Sequence, residues 1–585
     1  MILLIISIPF LSSLSILLLG LKIGQKGSVI ISVISILSSM ILSIKLLSSY
    51  ILYNNEIIIP LFHWVNLGLL NISFHIYLDK FSILMVFLIS TITFVVTSFS
   101  TWYMFEDPHK NRFLSYLLMF SVAMLMLVCS FNFLTMFVAW EAVGFMSYLL
   151  INYWYNSVNS NKSAIKAILY NKVGDIGFLI AMSILYLQSG ATHITNLGDN
   201  QINLVVICFL MASIAKSAQI ILHCWLGDAM AGPTPVSALL HAATMVTAGV
   251  FLLYRCGDNY PAYINNIIII IGLFTILFGG LSSINQNDIK KIIAYSTCSQ
   301  LGYMFLTSGV GVSNLGMFHL LTHGFFKALL FLTAGLLIHN CHHEQDVRKW
   351  GSLIFSSPLA YLFFLLGSLS IVSFPFLSGF YSKEPLITNT FIGLPVIYMF
   401  MVIGALFTSI YSFKLLYFTF FSSPNFTKPK NIASPQQEMF GVYLIPTMGS
   451  IFVGYFFNDV LIQPGVLGDS EYIPAYIKLI PLCAALLGVM GAMMKGGHPQ
   501  ILTIFNKRFF FDSIINHIFA SNILNWGYNY TYKFLDKGVL ELFGPVGLVH
   551  LRKSFGFSQP NSMNLNGVVY LFMSFASLLA VGHIL

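Results

Sequence analysis

The sequence predicts an all-α polytopic membrane protein with about 16 transmembrane helices. Three observations carry that expectation. Of the chain's 585 residues, 57% are hydrophobic and only 8% charged, a balance foreign to a soluble domain of this length. Apolar runs of about 20 residues recur along it, each long enough as a helix to cross about 30 Å of hydrocarbon. Lysine and arginine gather in alternate connections, as they must if the runs are spans and the basic loops stay on the untranslocated side.

The runs fall at 1–20, 28–48, 81–101, 113–131, 132–152, 165–187, 204–225, 236–254, 264–284, 289–308, 314–338, 358–378, 391–418, 440–457, 474–494 and 567–584. The opening stretch MILLIISIPFLSSLSILLLG has no basic leader and reads as a first span, not a secretory or import signal. Lys22, Lys26, Lys110, Arg112, Lys162, Lys290, Lys291, Arg348, Lys349, Lys428 and Lys430 lie in or beside odd-numbered connections, whereas even-numbered ones hold little beyond Lys80 and Arg255. The N-terminus is therefore expected on the side opposite the basic loops. The formal net charge of +8 reflects this asymmetry, so nucleic acid is not an expected partner. Seven cysteines stand singly, without the paired spacing that holds zinc or an iron–sulfur cluster.

Two apolar stretches carry helix breakers. Residues 216–251 are interrupted by Gly232, Pro233 and Pro235, and residues 373–386 by Pro375, Gly379 and Pro385. Each reads as helix, break, helix. Backbone freed by a break cannot face lipid; it lines a hydrated cavity or is buried in protein, as at transporter ion sites. Paired breaks suggest an internally repeated fold, although no residue-by-residue repeat is visible.

A charge at the bilayer centre costs about 2.5–3.5 kcal/mol, which makes each intramembrane ionisable residue a functional candidate. Glu141, Asp175 and Lys216 fall near the middle of their expected spans, and His241 follows the first break. His319, His323 and Lys327, at i, i+4 and i+8, share one helix face. Lys383 and Glu384 lie in the second interruption, and Lys290 near the head of its span, where an interfacial anchor is the competing role. For Glu141, Asp175 and Lys216 the competing role is a structural ion pair, and for the histidines of the shared face a satisfied packing residue. Two histidines one turn apart cannot ligate opposite faces of a haem, and the loop HNCHHEQDVRK has no zinc spacing. No phosphate-binding loop or nucleophile triad is present.

Beyond residue 495 the pattern changes. Residues 500–558 mix Lys507, Arg508, Lys533, Lys537, Arg552 and Lys553 with apolar and aromatic residues at helical spacing, which predicts a long amphipathic helix along the membrane surface. Fully helical, it would reach roughly 90 Å, with breaks expected at Pro545 and at glycines.

The motifs WEAVGFMSYLL, NKVGDIG, GPTPVSALLHAATMVTAGV, DIKKIIAYSTCSQLGYM and HLLTHGFFKALLFL, in this order, closely resemble the antiporter-like chain 5 family of NADH:ubiquinone oxidoreductase, respiratory complex I, mitochondrial type. The resemblance covers most of residues 60–420, and KFLDKGVLELFGP is similar to that family's lateral helix. It implies N-terminal helices over 1–112, two inverted five-helix repeats over 113–255 and 256–420, each with a broken helix, two further helices over 421–498, a lateral helix over 499–560 and a final span over 561–585. It implies that Glu141 and Lys216 form the first half-channel pair with Asp175 nearby, that His241 connects the halves, that His319, His323 and Lys327 continue the axis, and that Lys383, beside Glu384, belongs to the second broken helix. Gly227 stands where the family usually has Pro, and Lys172 where it has Arg.

The expected function is proton translocation in the membrane arm, driven by electron transfer elsewhere. No redox cofactor is expected in this chain; NADH, FMN, iron–sulfur clusters and ubiquinone are expected in partner subunits. The expected partners are the other membrane-arm subunits, especially antiporter-like neighbours under the lateral helix, and the bilayer. The resemblance places the chain in the mitochondrial inner membrane, with the N-terminus on the intermembrane-space side and the basic loops and lateral helix in the matrix. The alternatives are a subunit of a multisubunit cation/proton antiporter and a structural subunit with a vestigial path.

Overall fold

The computed structural model describes residues 1–67, 70–189, 203–257, 260–423, 440–461, 473–493 and 499–554. The chain divides into two compact units, residues 1–506 and 507 onward.

The first unit opens with α1, Ile2–Tyr53, which bends at Gly24 (φ 76°, ψ 173°), a backbone conformation that glycine adopts without steric cost. The two expected spans 1–20 and 28–48 are its two arms. A buried serine row, Ser28, Ser32, Ser35, Ser39 and Ser43, faces the bundle, and each hydroxyl is satisfied by a carbonyl three residues earlier.

An antiparallel hairpin follows, β1 Ile57–Leu67 and β2 Leu70–Leu78, with Ile57 opposite Leu78. It departs from the all-helical expectation. Its strands are rich in Ile, Phe, Trp and Tyr, which suit a pleated, half-buried surface. Tyr77 N–H donates to the Cys129 carbonyl at 2.9 Å, which ties β2 to the bundle. Asp79 then caps α2, Lys80–Tyr103, through a reciprocal pair of bonds with Ser82. The same carboxylate accepts from Arg255 Nη1 at 2.5 Å, with the Arg255 guanidinium 4.7 Å over the Tyr77 ring.

The bundle continues through α3 Lys110–Val128, α4 Phe133–Ile151, α5 Val158–Ser189, α6 Asn203–Lys216, the short α7 Cys224–Asp228, α8 Thr234–Ala242 and α9 Met245–Cys256. It goes on with α10 Ala262–Asn285, α11 Ile289–Val310, α12 Ser313–Asn340, α13 Leu353–Ser356, α14 Pro358–Val372, α15 Ser378–Gly393, α16 Pro395–Leu416, α17 Phe440–Leu461, α18 Ala475–Met493 and α19 Pro499–Asn506. Among the described residues ten helical stretches are long and apolar enough to cross a membrane alone, and α6, α14 and 476–492 are apolar but shorter. Part of the shortfall from the expected count is physical: the interrupted helices present two short pieces where one long run was expected. The expected span 567–584 lies outside the described residues.

The core sits around α12, whose membrane-length window is wholly buried. Small residues let its neighbours close in: a Cβ on Gly279 of α10 would stand 2.7 Å from the Ser299 nitrogen of α11.

In the second unit, residues 511–543 form an unbroken helical run, partly of π character, that buries no side chain within the unit. Arg508, Phe509 and Phe510 (φ 55° to 56°) separate it from α19, and Gly544 ends it before Pro545–Ser554. The segment expected over 499–560 is thus divided at 508–510 and, as its sequence predicts, at Gly544 and Pro545.

Candidate functional site

The first interruption begins well before the prolines and ends at Gly232 and Pro233, whose backbone is extended (ψ 172° and 146°). α6 ends at Lys216, and residues 217–223 leave the helix, with Ala218 (φ 50°) and Ile221 (φ 85°) in the left-handed region. Pro233 caps α8 and Pro235 lies in its first turn, where a missing N–H costs nothing, so the prolines start a helix instead of breaking one. Lys216 is therefore a helix-terminal residue, not a mid-helix one, and its ammonium is favoured by the negative end of the α6 dipole. The freed backbone is held by protein: Trp225 Nε1–H donates to the Ala215 carbonyl at 3.0 Å, and the Cys298 thiol to the Ala218 carbonyl at 3.3 Å. A Cβ on Gly249 would stand 2.5 Å from the Ser213 oxygen, so α9 packs on α6 as closely as glycine allows. A second discontinuity, Ala243–Thr244, separates α8 from α9 just past His241.

Around Lys216 the charges are arranged differently from the pair that the resemblance implies. Glu141 is ion-paired with Lys172, which also stands 3.7 Å from Asp175. Trp140 Nε1–H donates to Asp175 at 2.8 Å. Lys216 Nζ donates to the Trp140 carbonyl at 3.0 Å and lies 5.1 Å from the centre of its indole. Glu141 and Lys216 are thus joined through Lys172, Asp175 and Trp140, not directly. Lys166 pairs with Asp228 at 2.7 Å and ties α5 to α7.

His241 is fully buried, with Trp225 and Phe331 at ring distances of 6.2 and 6.1 Å and neither ring nitrogen hydrogen-bonded. His323 of α12 faces the backbone of Ala242, the next residue. Its ring stands 6.2 Å from that of His319, so the shared face read from the sequence is present and wholly buried. Lys327 Nζ donates to Ser296 Oγ at 2.5 Å and to the Ile293 carbonyl at 3.4 Å.

The second interruption is shorter than expected, residues 373–377, with Ser373 (φ 72°) and Phe376 (φ 67°) left-handed. Pro385 sits inside α15, and Lys383 and Glu384 are in that helix, not in the break. Lys383 Nζ donates to Thr408 Oγ1 at 3.0 Å and to the Ile371 carbonyl at 3.2 Å, and lies 5.4 Å from the Tyr303 ring centre. Each broken helix therefore brings a buried lysine to the C-terminal end of its leading half. Glu384 is only partly buried and faces the charge of Lys478 of α18, so the two neighbours in sequence serve different surroundings.

Lys290 is buried and donates to the Gly232 carbonyl at 3.2 Å, which fixes the turn that leads into α8. It also lines a cavity of about 610 Å³ with Trp102, Trp154, His339 and His343. In the loop after α12, Asp346 accepts from Arg348, which holds its carboxyl below the usual range. That loop pairs with the start of α11 through Ile289 N–H and the Gln345 carbonyl at 3.1 Å. No group of residues suited to a metal occurs among the described residues.

Sequence reasoning missed Lys172 as a partner, together with Trp140, Ser296, Gln300, Ser382 and Thr408. Lys172 carried a signal, since it precedes Asp175 by three residues on one helix face. The hydroxyl and amide groups carried none, because serine, threonine and glutamine pass unnoticed in spans where their hydrogen bonds close locally.

Buried lysines at two interrupted helices of one polytopic bundle define an antiporter-like membrane protein. Residues 130–408 match the family described as NADH:quinone oxidoreductase/Mrp antiporter, TM; residues 64–114 match the NADH-Ubiquinone oxidoreductase (complex I) chain 5 N-terminus, and 411–584 the NADH dehydrogenase subunit 5 C-terminus. Similar proteins include the NADH-ubiquinone oxidoreductase chain 5 of Phytophthora infestans, 39% identical over 97% of this chain and 93% of that one. The chain 5 of Rhizopus stolonifer is 40% identical (94% and 91%), and that of Metridium senile 39% (94% and 96%). The chain belongs to the NADH-ubiquinone oxidoreductase chain 5 family. A chain of the Mrp complex from Dietzia sp. shares the fold at TM-score 0.69 and 21% identity, matching 100% of this chain and 63% of its own length. So does one from an archaeal membrane-bound sulfane sulfur reductase, at TM-score 0.68 and 20% identity over 83% of this chain and 99% of that one.

Proposed function

We propose that the chain translocates protons as a membrane-arm subunit of NADH-ubiquinone oxidoreductase, along Lys216, His241, His323, Lys327, His319 and Lys383. One observation carries this reading. Among the described residues, Lys216, Lys327 and Lys383 are buried without an ion pair and donate only to carbonyls and hydroxyls. A structural ion pair would place a carboxylate against each; a lysine that must be able to lose its proton would not have one. Residues 113–255 and 256–420 serve as two antiporter-like halves, and His241 with His323 bridges them.

Glu141, Lys172 and Asp175 supply the control. A carboxylate about 8 Å from an ammonium, at an effective dielectric near 20, stabilises it by roughly 2 kcal/mol, or about 1.5 pK units. Moving Lys172 between the carboxylates and away from them changes how firmly Lys216 holds its proton. Glu141 and Lys172 keep 30% and 49% of their side-chain surface exposed in the isolated chain, at membrane depth. Such charges cannot face lipid, which supports a neighbouring membrane subunit packed on α4 and α5. In this reading the NADH, FMN, iron–sulfur and ubiquinone chemistry belongs to partner subunits, the basic loops and lateral segment face the matrix, and the N-terminus faces the intermembrane space.

The test is NADH-driven proton uptake into vesicles that hold the intact complex. Lys216→Ala is expected to remove most of the uptake while the complex still assembles, and Lys216→Arg, which cannot deprotonate, is expected to fail likewise. Normal uptake with Arg would make Lys216 an anchoring charge. Uptake that follows an imposed sodium gradient without NADH would favour the cation/proton antiporter instead.

A further inference from the structure

His319 is held at both ring nitrogens, with Nδ1 3.1 Å from Ser382 Oγ and Nε2 3.1 Å from Gln300 Oε1. An amide oxygen only accepts, so Nε2 carries the ring hydrogen and Nδ1 is the acceptor. Ser382 then gives its one hydroxyl hydrogen to Nδ1 in place of the Ser378 carbonyl, 3.3 Å away, and Thr322, 2.8 Å from Ser382 Oγ, donates to Ser382 in place of the His319 carbonyl, 3.1 Å away. The hydrogen bonds run in one direction, from Thr322 through Ser382 and His319, and stop at Gln300. On the far side Lys327 donates to Ser296, one turn before Gln300 on α11, and the Tyr411 hydroxyl of α16 faces Ser296, Ser299 and Gln300. The Gln300 amide nitrogen is buried without a hydrogen bond of ordinary length. The charges nearest His319 among the described residues are Lys383 of α15 and Lys327 of its own helix, with the His323 ring 6.2 Å away.

On the proton-carrying role assigned above, we propose that Gln300 is a positioning residue that fixes the tautomer of His319 and thereby latches the step between the Lys383 and Lys327 sides. A proton arriving at Nδ1 makes the ring an imidazolium, and the amide oxygen on Nε2 is too weak a base to take the other proton. While Gln300 holds Nε2, the ring hands its proton back the way it came. Onward transfer needs the carboxamide to turn aside: the ring then gains one proton at Nδ1 and loses one from Nε2 toward neutral Lys327 through Ser296, ending in the opposite neutral tautomer. If the amide's NH2 takes the place of its oxygen, it donates to the bare Nε2 and holds that tautomer.

Gln300→Met, similar in volume and without the acceptor, opens the latch. Protons per NADH, measured in vesicles holding the complex, are expected to fall at least about twofold while NADH oxidation continues. Gln300→Glu places a carboxylate on Nε2 that favours the imidazolium, so the pH at which uptake half-falls is expected to move about one unit toward alkaline. In a His319→Ala background neither substitution is expected to change the ratio or the profile further. A merely structural role would lower the amount of assembled complex and scale both rates together, with the pH profile unmoved. If Gln300→Met does not assemble, Gln300→Glu, which keeps the side-chain shape, carries the test. Wild-type ratio and profile in the Gln300 variants, or equal effects without His319, overturn the latch. If Lys216→Ala and Lys327→Ala then still abolish uptake, the latch alone falls; if they too leave uptake unchanged, the proton-carrying role falls with it.

Discussion

Lys216 donates to the backbone carbonyl of Trp140 at 3.0 Å, not to the carboxylate of the next residue, Glu141, which Lys172 holds. A carbonyl is a fixed dipole. It orients the ammonium without trapping it, whereas a buried carboxylate in contact would hold the charged form and oppose its release. The carboxylates act at one remove, through a lysine whose side chain is half exposed in the isolated chain.

Lys172 should on this account tune pumping without carrying it. In Lys172→Gln, Glu141 and Asp175 lose their shared counter-charge and act more strongly on Lys216, which then keeps its proton to higher pH. Uptake per NADH is expected to fall a fewfold, less than in Lys216→Ala, and the loss should be greatest at neutral pH and smaller at alkaline pH, where Lys216 again deprotonates. Vesicle uptake measured across pH checks this, and a loss as complete as that of Lys216→Ala at every pH would place Lys172 in the path itself.

The helical character and the presence of two interruptions were legible in the sequence, and the buried lysines and histidines of the proposed axis stood out in it, because apolar runs and the cost of an intramembrane charge leave a plain record. The exact course of the backbone was not. Residues 217–223 carry neither proline nor glycine, and their departure from the helix is imposed by tertiary contacts such as those of Trp225 and Cys298. Gly232 and Pro233 marked only the far end of the first interruption, because proline marks helix starts as readily as helix breaks. The hairpin was read over because residues 49–80 were left as a connection between two spans, although Ile-, Phe- and Tyr-rich strands were there to be seen. Lys172 as the contact partner of Glu141 went unread because resemblance aligns motifs and does not say which of several nearby charges touch.

The shared face of α12 predicts redundancy. His319 and His323 are buried within 6.2 Å of each other, and hydroxyls of Thr322, Ser382 and Ser296 surround the same face, so a proton has more than one neighbour to visit. His319→Ala and His323→Ala are each expected to lower uptake per NADH modestly, and the double variant by more than the sum of the two in free-energy terms. Additive small losses would mean that the two rings belong to separate routes.

The segment beyond Asn506 is expected to serve assembly, not conduction. It forms its own compact unit, and its helical run over 511–543 buries none of its side chains there while exposing Phe519, Ile523, Leu524, Trp526 and Phe534. So much apolar surface calls for a cover, and the pairs Lys533 over Tyr528 and Lys537 over Tyr532, at 4.8 and 5.1 Å, give the same run the basic, aromatic character of a membrane-surface helix. At 1.5 Å per residue the unbroken run reaches at most about 50 Å, short of the roughly 90 Å read from the sequence, so it is suited to bracing an adjacent subunit more than to spanning several. None of the buried lysines or histidines of the axis lies in it. Truncation after Asn506 is therefore expected to reduce the amount of intact complex several-fold while leaving protons per NADH unchanged in whatever assembles. Complex quantified on native gels, with the ratio measured separately in vesicles, checks both halves of this expectation. Normal assembly with a lowered ratio would instead assign the segment to coupling, and normal values for both would leave it without the bracing role.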